Sequence, residues 1–335
     1  MRTRPRRALL PAVAAASLVL SACAASGSSP GSGGGAGSAS TSASAPAASA
    51  SVPSSVKAVI PTDHGPAGFV ATTDAIWVSN HRAGTLEKID PATNRVVGSV
   101  TVGGEANISD NDPAWACTNA DSKAHHIDVT ALTVTSSAET GCNGGSIRVV
   151  GATAWVAAGP DDVGVTLLDA SSGTVRKHLP LPASGSGGPV VLAHGRVIIG
   201  GGSTTAAYTP AGASLGMLPV DTTWLVPPIG SDIYRVPDDG RITQLDPVTL
   251  KPILVIPAPK HLDDWNWALT GDDHGHLWYR PDYTHVYAVD TATKAVTLLL
   301  TLPWEESPTG LVYAFGSLWI SNFDQDTVWR VDVAP

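Results

Sequence analysis

The sequence predicts an all-β chain, a seven-bladed β-propeller of four-stranded blades whose last blade is closed by the N-terminal strand. Three observations predict it. A unit of about 40 residues recurs, marked by Asp90, Asp128, Asp169, Thr209, Asp246, Asp290 and Asp332 at spacings of 38, 41, 40, 37, 44 and 42. A large apolar residue lies 11 to 14 positions upstream of each marker: Trp77, Trp115, Trp155, Ile198, Tyr234, Trp278 and Trp319. No stretch keeps a sustained helical period, whereas alternation such as Thr327-Val328-Trp329-Arg330-Val331-Asp332 suits half-buried strands. Self-similarity at this period is the signature of propeller blades.

Composition agrees with a packed domain. The 335 residues are 43% hydrophobic and 15% charged, with 34 Gly and 26 Pro, which excludes a coiled coil and a disordered chain. The formal net charge is −9. Without the first 22 residues, which hold four Arg and no acid, 16 Lys and Arg face 29 Asp and Glu, a net −13. Such a surface repels phosphate backbones, so nucleic acid is not an expected partner. The glycine clusters Gly144-Gly145 and Gly200-Gly201-Gly202 fall between strands and read as turns, not as phosphate cradles.

Residues 1–22 read as an export signal. Arg2, Arg4, Arg6 and Arg7 precede an uncharged stretch from Ala8 to Leu20 that is too short to span a bilayer. Leu20-Ser21-Ala22-Cys23 resembles a bacterial lipobox, in which the Cys23 thiol takes a diacylglyceryl group. Residues 23–54 then form a tether. From 24 to 51 it contains only Ala, Ser, Gly, Thr and Pro, and it is similar to the tethers of lipoproteins from high-GC Gram-positive bacteria. A flexible chain of that length has a root-mean-square span of about 30 Å. The expected location is the extracytoplasmic face of the cell membrane, with the membrane touched only through the lipid anchor.

Residues 55–335 carry the propeller. Each unit reads as an aromatic-bearing strand, a polar loop, a strand ending in Asp, a turn and an outer strand. In Asp90-Pro91-Ala92-Thr93-Asn94 the carboxylate can accept backbone N–H bonds and close the turn. The Asp markers are therefore turn devices, and the repeated Trp fills the gap between blades. The last unit stops one strand short, and Ser55–Ile60 is apolar and alternating, so it is expected to supply the missing outer strand and remove an open edge.

Trp77-Val78-Ser79-Asn80 and Trp319-Ile320-Ser321-Asn322 resemble the tetrad that names the YVTN repeat, and Ile89-Asp90-Pro91-Ala92-Thr93-Asn94 resembles the consensus downstream of that tetrad. The resemblance covers about residues 55–335 and implies the propeller fold. It leaves function open, because such propellers include binding proteins, surface-layer repeats and metal-assisted enzymes of the virginiamycin B lyase type. No catalytic residue transfers onto this sequence position by position.

Cys117 and Cys142 remain after Cys23, an even pair in an oxidising compartment, and are expected to form a disulfide.

The loops between blades, and those joining the second and third strands of a blade, are expected to build the binding face. They hold His64, His81, Arg82, His261, Asp263, Asp264, Trp265, Trp267, Asp282, Tyr283, Trp304, Glu305, Glu306, Asn322 and Phe323. Trp265, Trp267 and Trp304 lie outside the repeated Trp position. They either plug the channel or, with the acids beside them, present a surface suited to a sugar, a peptide or a cationic organic ligand. The favoured reading is a binding module without covalent chemistry, its partner an envelope protein, a glycan or a small molecule. The alternatives are a metal-assisted lyase or lactone hydrolase and a structural envelope protein. No cofactor is expected in the first case; mixed His and carboxylate groups would suit a divalent ion in the second. Asp272-Asp273-His274-Gly275-His276 is expected to be a tight turn on the opposite face.

The anchor has a direct test. Wild-type protein expressed in a Gram-positive host partitions into the detergent phase, and Cys23→Ala protein partitions into water; equal partitioning would overturn the lipobox reading.

Overall fold

The computed structural model describes residues 55–142, 146–158, 164–180, 189–201, 204–218, 225–226, 228–237, 239–261, 267–272, 274–304 and 308–333. These residues form strands and no helix. Strand β1 (Val56–Pro61) is followed by blade 1, made of β2 (Pro66–Ala71), β3 (Ile76–Asn80), β4 (Thr85–Asp90) and β5 (Arg95–Thr101). Blade 2 is β6 (Ala106–Ile108), β7 (Trp115–Thr118), β8 (Lys123–Asp128) and β9 (Thr133–Glu139). Blade 3 is β10 (Ile147–Val150), β11 (Thr153–Ala157), β12 (Val165–Asp169) and β13 (Val175–Leu179). Blade 4 is β14 (Val190–Ala193), β15 (Arg196–Gly201), β16 (Thr204–Tyr208) and β17 (Ser214–Leu218).

Of blade 5 the described residues include β18 (Ile233–Arg235), β19 (Arg241–Leu245) and β20 (Pro252–Pro257). A single bridge, Leu225 to Arg235, stands where its innermost strand belongs. Blade 6 is β21 (Ala268–Gly271), β22 (His276–Arg280), β23 (His285–Asp290) and β24 (Ala295–Thr301). Blade 7 is β25 (Pro308–Ala314), β26 (Ser317–Asn322), β27 (Thr327–Asp332) and, outermost, β1. The expected closure is therefore observed: Val59 pairs with Trp329 and Ile60 with Val328.

The core lies between blades rather than in one central mass. Among the described residues the buried apolar side chains fall into seven clusters, each drawn from two successive blades, so that every seam of the ring is filled. The period of two explains how. On β3, Trp77 faces blade 2 while Ile76 and Val78 face blade 7. On β26, Trp319 faces blade 1 while Leu318 and Ile320 face blade 6. Tyr234 and Ile198 do the same work in blades 5 and 4. A second strand is thus buried on both faces, as the unbroken burial of Ile76–Asn80 shows.

The Asp turns behave as expected. Asp90 accepts the N–H of Ala92, Asp128 those of Thr130 and Ala131, Asp246 those of Val248 and Thr249, and Asp290 those of Ala292 and Thr293. In blade 4 the hydroxyl of Thr209 takes the N–H of Ala213 instead. The fourth residue after the Asp sits in the left-handed region at Asn94, Leu132, Leu250 and Lys294, which turns the chain back into the outer strand.

Cys117 on β7 and Cys142 in the loop before β10 form the expected disulfide, with Cα atoms 5.7 Å apart. It closes a 25-residue separation, which the loop-entropy argument values at about 3 kcal/mol.

Successive strands of a blade run in opposite directions, so two loop classes share each face. The blade-to-blade loops and those joining second to third strands lie on one face, called here the lead-in face. The hairpins holding the Asp turns lie on the other, the turn face. Since β1 completes the ring, deleting residues 55–61 lowers the melting temperature far more than deleting 24–51; equal melts of the two truncations would contradict the closure.

Candidate functional site

Every described candidate falls on the lead-in face. His64 lies in the β1–β2 loop, His81 and Arg82 in the β3–β4 loop, Asn322 at the end of β26 and Phe323 just after it. His261 and Trp267 lie between β20 and β21, Asp282 and Tyr283 between β22 and β23, and Trp304 between β24 and β25. Cys23, Asp263, Asp264, Trp265, Glu305 and Glu306 lie outside the described residues.

The structure brings one group of these together, at the seam where blade 7 meets blade 1. The inner strands approach closely there: a Cβ on Gly310 would overlap the carbonyl oxygen of Ala67 and stand 2.8 Å from the Phe69 ring. The β1–β2 loop is tied to the next loop by His81 N–H to Gly65 O at 2.7 Å and Ala83 N–H to His64 O at 3.0 Å. Gly65, at φ 72°, passes beneath Arg82 and Phe323, each of which a Cβ would meet at 3.0 Å. The Arg82 guanidinium lies 4.3 Å from the Phe323 ring centre and donates to Asp324 at 2.9 Å. The His81 ring stands 6.1 Å from the same Phe323 ring.

His64 is held by Asp326, Nδ1 to Oδ2 at 2.7 Å, and the other oxygen of that carboxylate accepts the Gly65 N–H at 2.9 Å. Burial pushes the Asp326 carboxyl up, but the Gly65 N–H and His64 outweigh it and hold it below the usual range. In the neutral ring a carboxylate partner selects the tautomer with the proton on Nδ1, which makes Nε2 the acceptor. The His64 side chain is 75% exposed, which places that nitrogen in solvent. Beneath lies a polar layer. Asp63 N–H donates to Glu87 at 3.1 Å, Thr85 hydroxyl to Asp63 at 3.2 Å, and Asn80 Nδ2 to Thr85 at 3.1 Å. Burial raises the Glu87 carboxyl above its ordinary value.

The blade 6 residues make a second group. Asp282 receives the N–H groups of Thr284 and His285 at 2.8 Å each and the His285 Nδ1 at 2.9 Å. Burial pushes the Asp282 carboxyl up, and these bonds pull it below the carboxylate range. The buried His261 ring lies 5.7 Å from Trp267, which packs partly buried against the seam of blades 5 and 6. Trp304 is 3% exposed and meets Trp329 edge-on at 4.8 Å in the core between blades 6 and 7. Trp304 thus packs in the seam of blades 6 and 7, and Trp267 packs partly buried in that of blades 5 and 6. Asn322 is also buried and its Oδ1 accepts the Gln325 N–H, so it shapes the loop that carries Phe323.

Sequence reasoning missed Asp326 and Glu87. Glu87 had a signal, an acid in the middle of an apolar strand. Asp326 had none, because its partner His64 is 262 residues away in sequence. The inner strands also share a pattern, Pro66-Ala67-Gly68 and Pro308-Thr309-Gly310, that marks the two blades building this seam. Among the described residues no three His, Cys, Asp or Glu side chains are grouped to hold a metal ion. Asp272 accepts the N–H groups of His274 and His276 on the turn face, and Asp273 lies outside the described residues.

The chain is a seven-bladed β-propeller with a polar, Phe-bearing cluster on its lead-in face. No family model matches it, and no curated protein matches it. Solved structures do. Hydrazine synthase from Kuenenia stuttgartiensis aligns with a TM-score of 0.62 at 13% identity, covering 82% of this chain and 97% of that one. A streptogramin B lyase aligns at 0.65 and 13%, covering 82% and 95%. Catalytically inactive virginiamycin B lyase from Staphylococcus aureus with quinupristin aligns at 0.65 and 13%, covering 82% and 96%. At this identity the likeness is one of fold.

The buried Glu87 makes a pH prediction. Its raised folded-state pKa means the neutral acid suits the fold, so its ionisation costs stability as pH rises through that value. Glu87→Gln should therefore gain melting temperature relative to wild type as pH rises over the range above the ordinary glutamate pKa of about 4.3. A difference that stays flat across that range would refute the argument.

Proposed function

We propose that the protein is a lipid-anchored extracytoplasmic binding module that recognises its ligand at the seam of blades 7 and 1. The observation that supports it most is the meeting there of His64, His81, Arg82 and Phe323 from three separate loops. An exposed guanidinium stacked on an aromatic ring offers donors around a flat apolar face. With one oriented imidazole beside it, the shelf suits a glycan or a small molecule carrying a ring and acceptor oxygens. The neighbouring Asp324 and Asp326 outnumber the one permanent cation, Arg82, so the shelf is not an anion trap. The lipobox at Cys23 and the tether support a position at the membrane surface.

A glycan and metabolite panel screened with the mature chain tests this. Ligands that bind wild type should lose about tenfold or more in affinity with Phe323→Ala, the worth of one stacked ring, while the melting temperature changes little. Binding that survives both Phe323→Ala and Arg82→Ala would remove the seam as the site.

One observation favours a second reading, a lyase. His64 is oriented by a carboxylate and presents Nε2 outward, the geometry of a general base. Incubation with quinupristin and simpler cyclic esters, followed by mass spectrometry, checks it. Ring opening that Asp326→Asn slows would support that reading, and intact ester would leave the binding module.

A further inference from the structure

Beneath the shelf, the seam of blades 7 and 1 holds two carboxylates side by side, Glu87 and Asp63. On β4, Glu87 stands opposite Val78 and Thr85 stands opposite Asn80. Val78 and Ile89 face blade 7, so by the period of two Asn80, Thr85 and Glu87 face the same seam. The β1–β2 loop lays Asp63 against them. Its N–H donates to Glu87 at 3.1 Å, and its Oδ2 accepts the Thr85 hydroxyl at 3.2 Å. Among the described residues neither carboxylate joins an ion pair: Arg82 goes to Asp324 and His64 to Asp326.

A buried charge is costly without a counter-charge. Glu87 is 8% exposed. Burial pushes its carboxyl up and the charge of Asp63 adds to that, opposed only by the Asp63 N–H and the Asn80 amide.

The neutral oxygens give a second, independent observation. Asn80 is fully buried, and its Nδ2 donates to Thr85 at 3.1 Å. Its Oδ1 is a buried acceptor with no donor, a rare condition in a folded protein. The same amide stands beside Glu87, whose carboxyl it lowers. The Thr62 hydroxyl is another buried oxygen without a partner. Thr62 precedes Asp63 and lies two positions after Ile60, which faces this seam. Two carboxylates with amide and hydroxyl oxygens make the ligand set of a hard cation, and two negative charges match a divalent one. Carbonyls and water complete such sites, so a third acid is not required. Calcium accepts irregular sets of oxygens, whereas magnesium demands an octahedron.

We propose that Glu87, Asp63 and the Oδ1 of Asn80 bind a calcium ion within this seam, with Thr62 at its edge. The ion would supply the counter-charge and pin Asp63, and with it the loop that carries His64. The site lies below the shelf of His64, Arg82 and Phe323 and does not rest on any ligand binding there.

The mature chain, exhaustively chelated and then titrated with calcium by calorimetry, tests this. One saturable site is expected, with a dissociation constant of about 10⁻⁴ to 10⁻³ M, the range of extracellular calcium modules. Calcium at about 10 mM should raise the melting temperature by several degrees, and magnesium should raise it less. Glu87→Gln keeps the shape of the side chain and should cut calcium affinity about tenfold or more, because affinity follows the charge of the ligand set. Asp63→Asn, in a loop, should do the same. Asp74→Asn removes an exposed acid on the turn face and should leave binding unchanged. No saturable binding by wild type, or a calcium response that either Glu87→Gln or Asp63→Asn leaves intact, overturns the proposal. So does a response that Asp74→Asn weakens equally, since calcium would then be held by diffuse surface charge.

Discussion

Each blade keeps its place because the second strand buries side chains on both of its faces. Half of them fill the seam behind and half the seam ahead, so no blade has a core of its own. Trp77, Trp115, Trp155 and Trp319 are at most 2% exposed, and each belongs to the seam ahead of its blade. A wide flat ring spans the gap between two splayed sheets, and Tyr234 in blade 5 fills the same position with a ring of similar reach. Removing one such ring leaves a cavity worth about 3–5 kcal/mol. A ring built this way has no spare edge, so its first and last strands must meet, and β1 joins β27 for that reason.

That closure also creates the candidate site. His64 follows β1 and Asp326 precedes β27, so the pair that orients the imidazole exists only because the first strand completes the last blade. The site is tied to the structural seam in another way. Gly310 and Gly65 remove side chains where the two blades press together, and Arg82 and Phe323 rise over the space Gly65 leaves. The two faces divide the work. On the turn face the carboxylates are spent on their own backbone, and their hydrogen bonds hold Asp90, Asp128, Asp246 and Asp290 below the ordinary carboxylate range. They are thereby removed as ligand-binding groups. On the lead-in face the loops vary in length and sequence, and the polar groups that remain are turned towards one another or to solvent.

The turn face is not inert throughout. Where Arg330, Lys177, Arg196 or Ser136 crosses a seam, the hydrogen bond satisfies a carbonyl of the next blade's turn. At the seam of blades 1 and 2 the cation over Trp77 is Lys88, which bonds Asp74 of its own blade, and a groove of about 460 Å³ stays open. A planar guanidinium with a fixed fork can reach two acceptors at once, whereas an ammonium on a flexible stem follows the nearest carboxylate. The difference between a sealed seam and a groove thus rests on which cation sits over the tryptophan and on whether the outer strand offers a side chain beside it.

Blade number, the buried aromatic row, the Asp turns, the closing strand and the disulfide were all legible in the sequence. Each depends on local chemistry or on spacing that repeats, and a repeated spacing survives translation into space. The role of Trp304 was not legible: its position outside the repeat gave no hint that Trp329 would receive it edge-on. The pairing of His64 with Asp326 and the open seam beside Lys88 were decided by the tertiary structure alone. Both arise where residues far apart in sequence, or on different blades, are pressed to within a few ångströms by ring closure, and no periodicity along the chain encodes a distance across it.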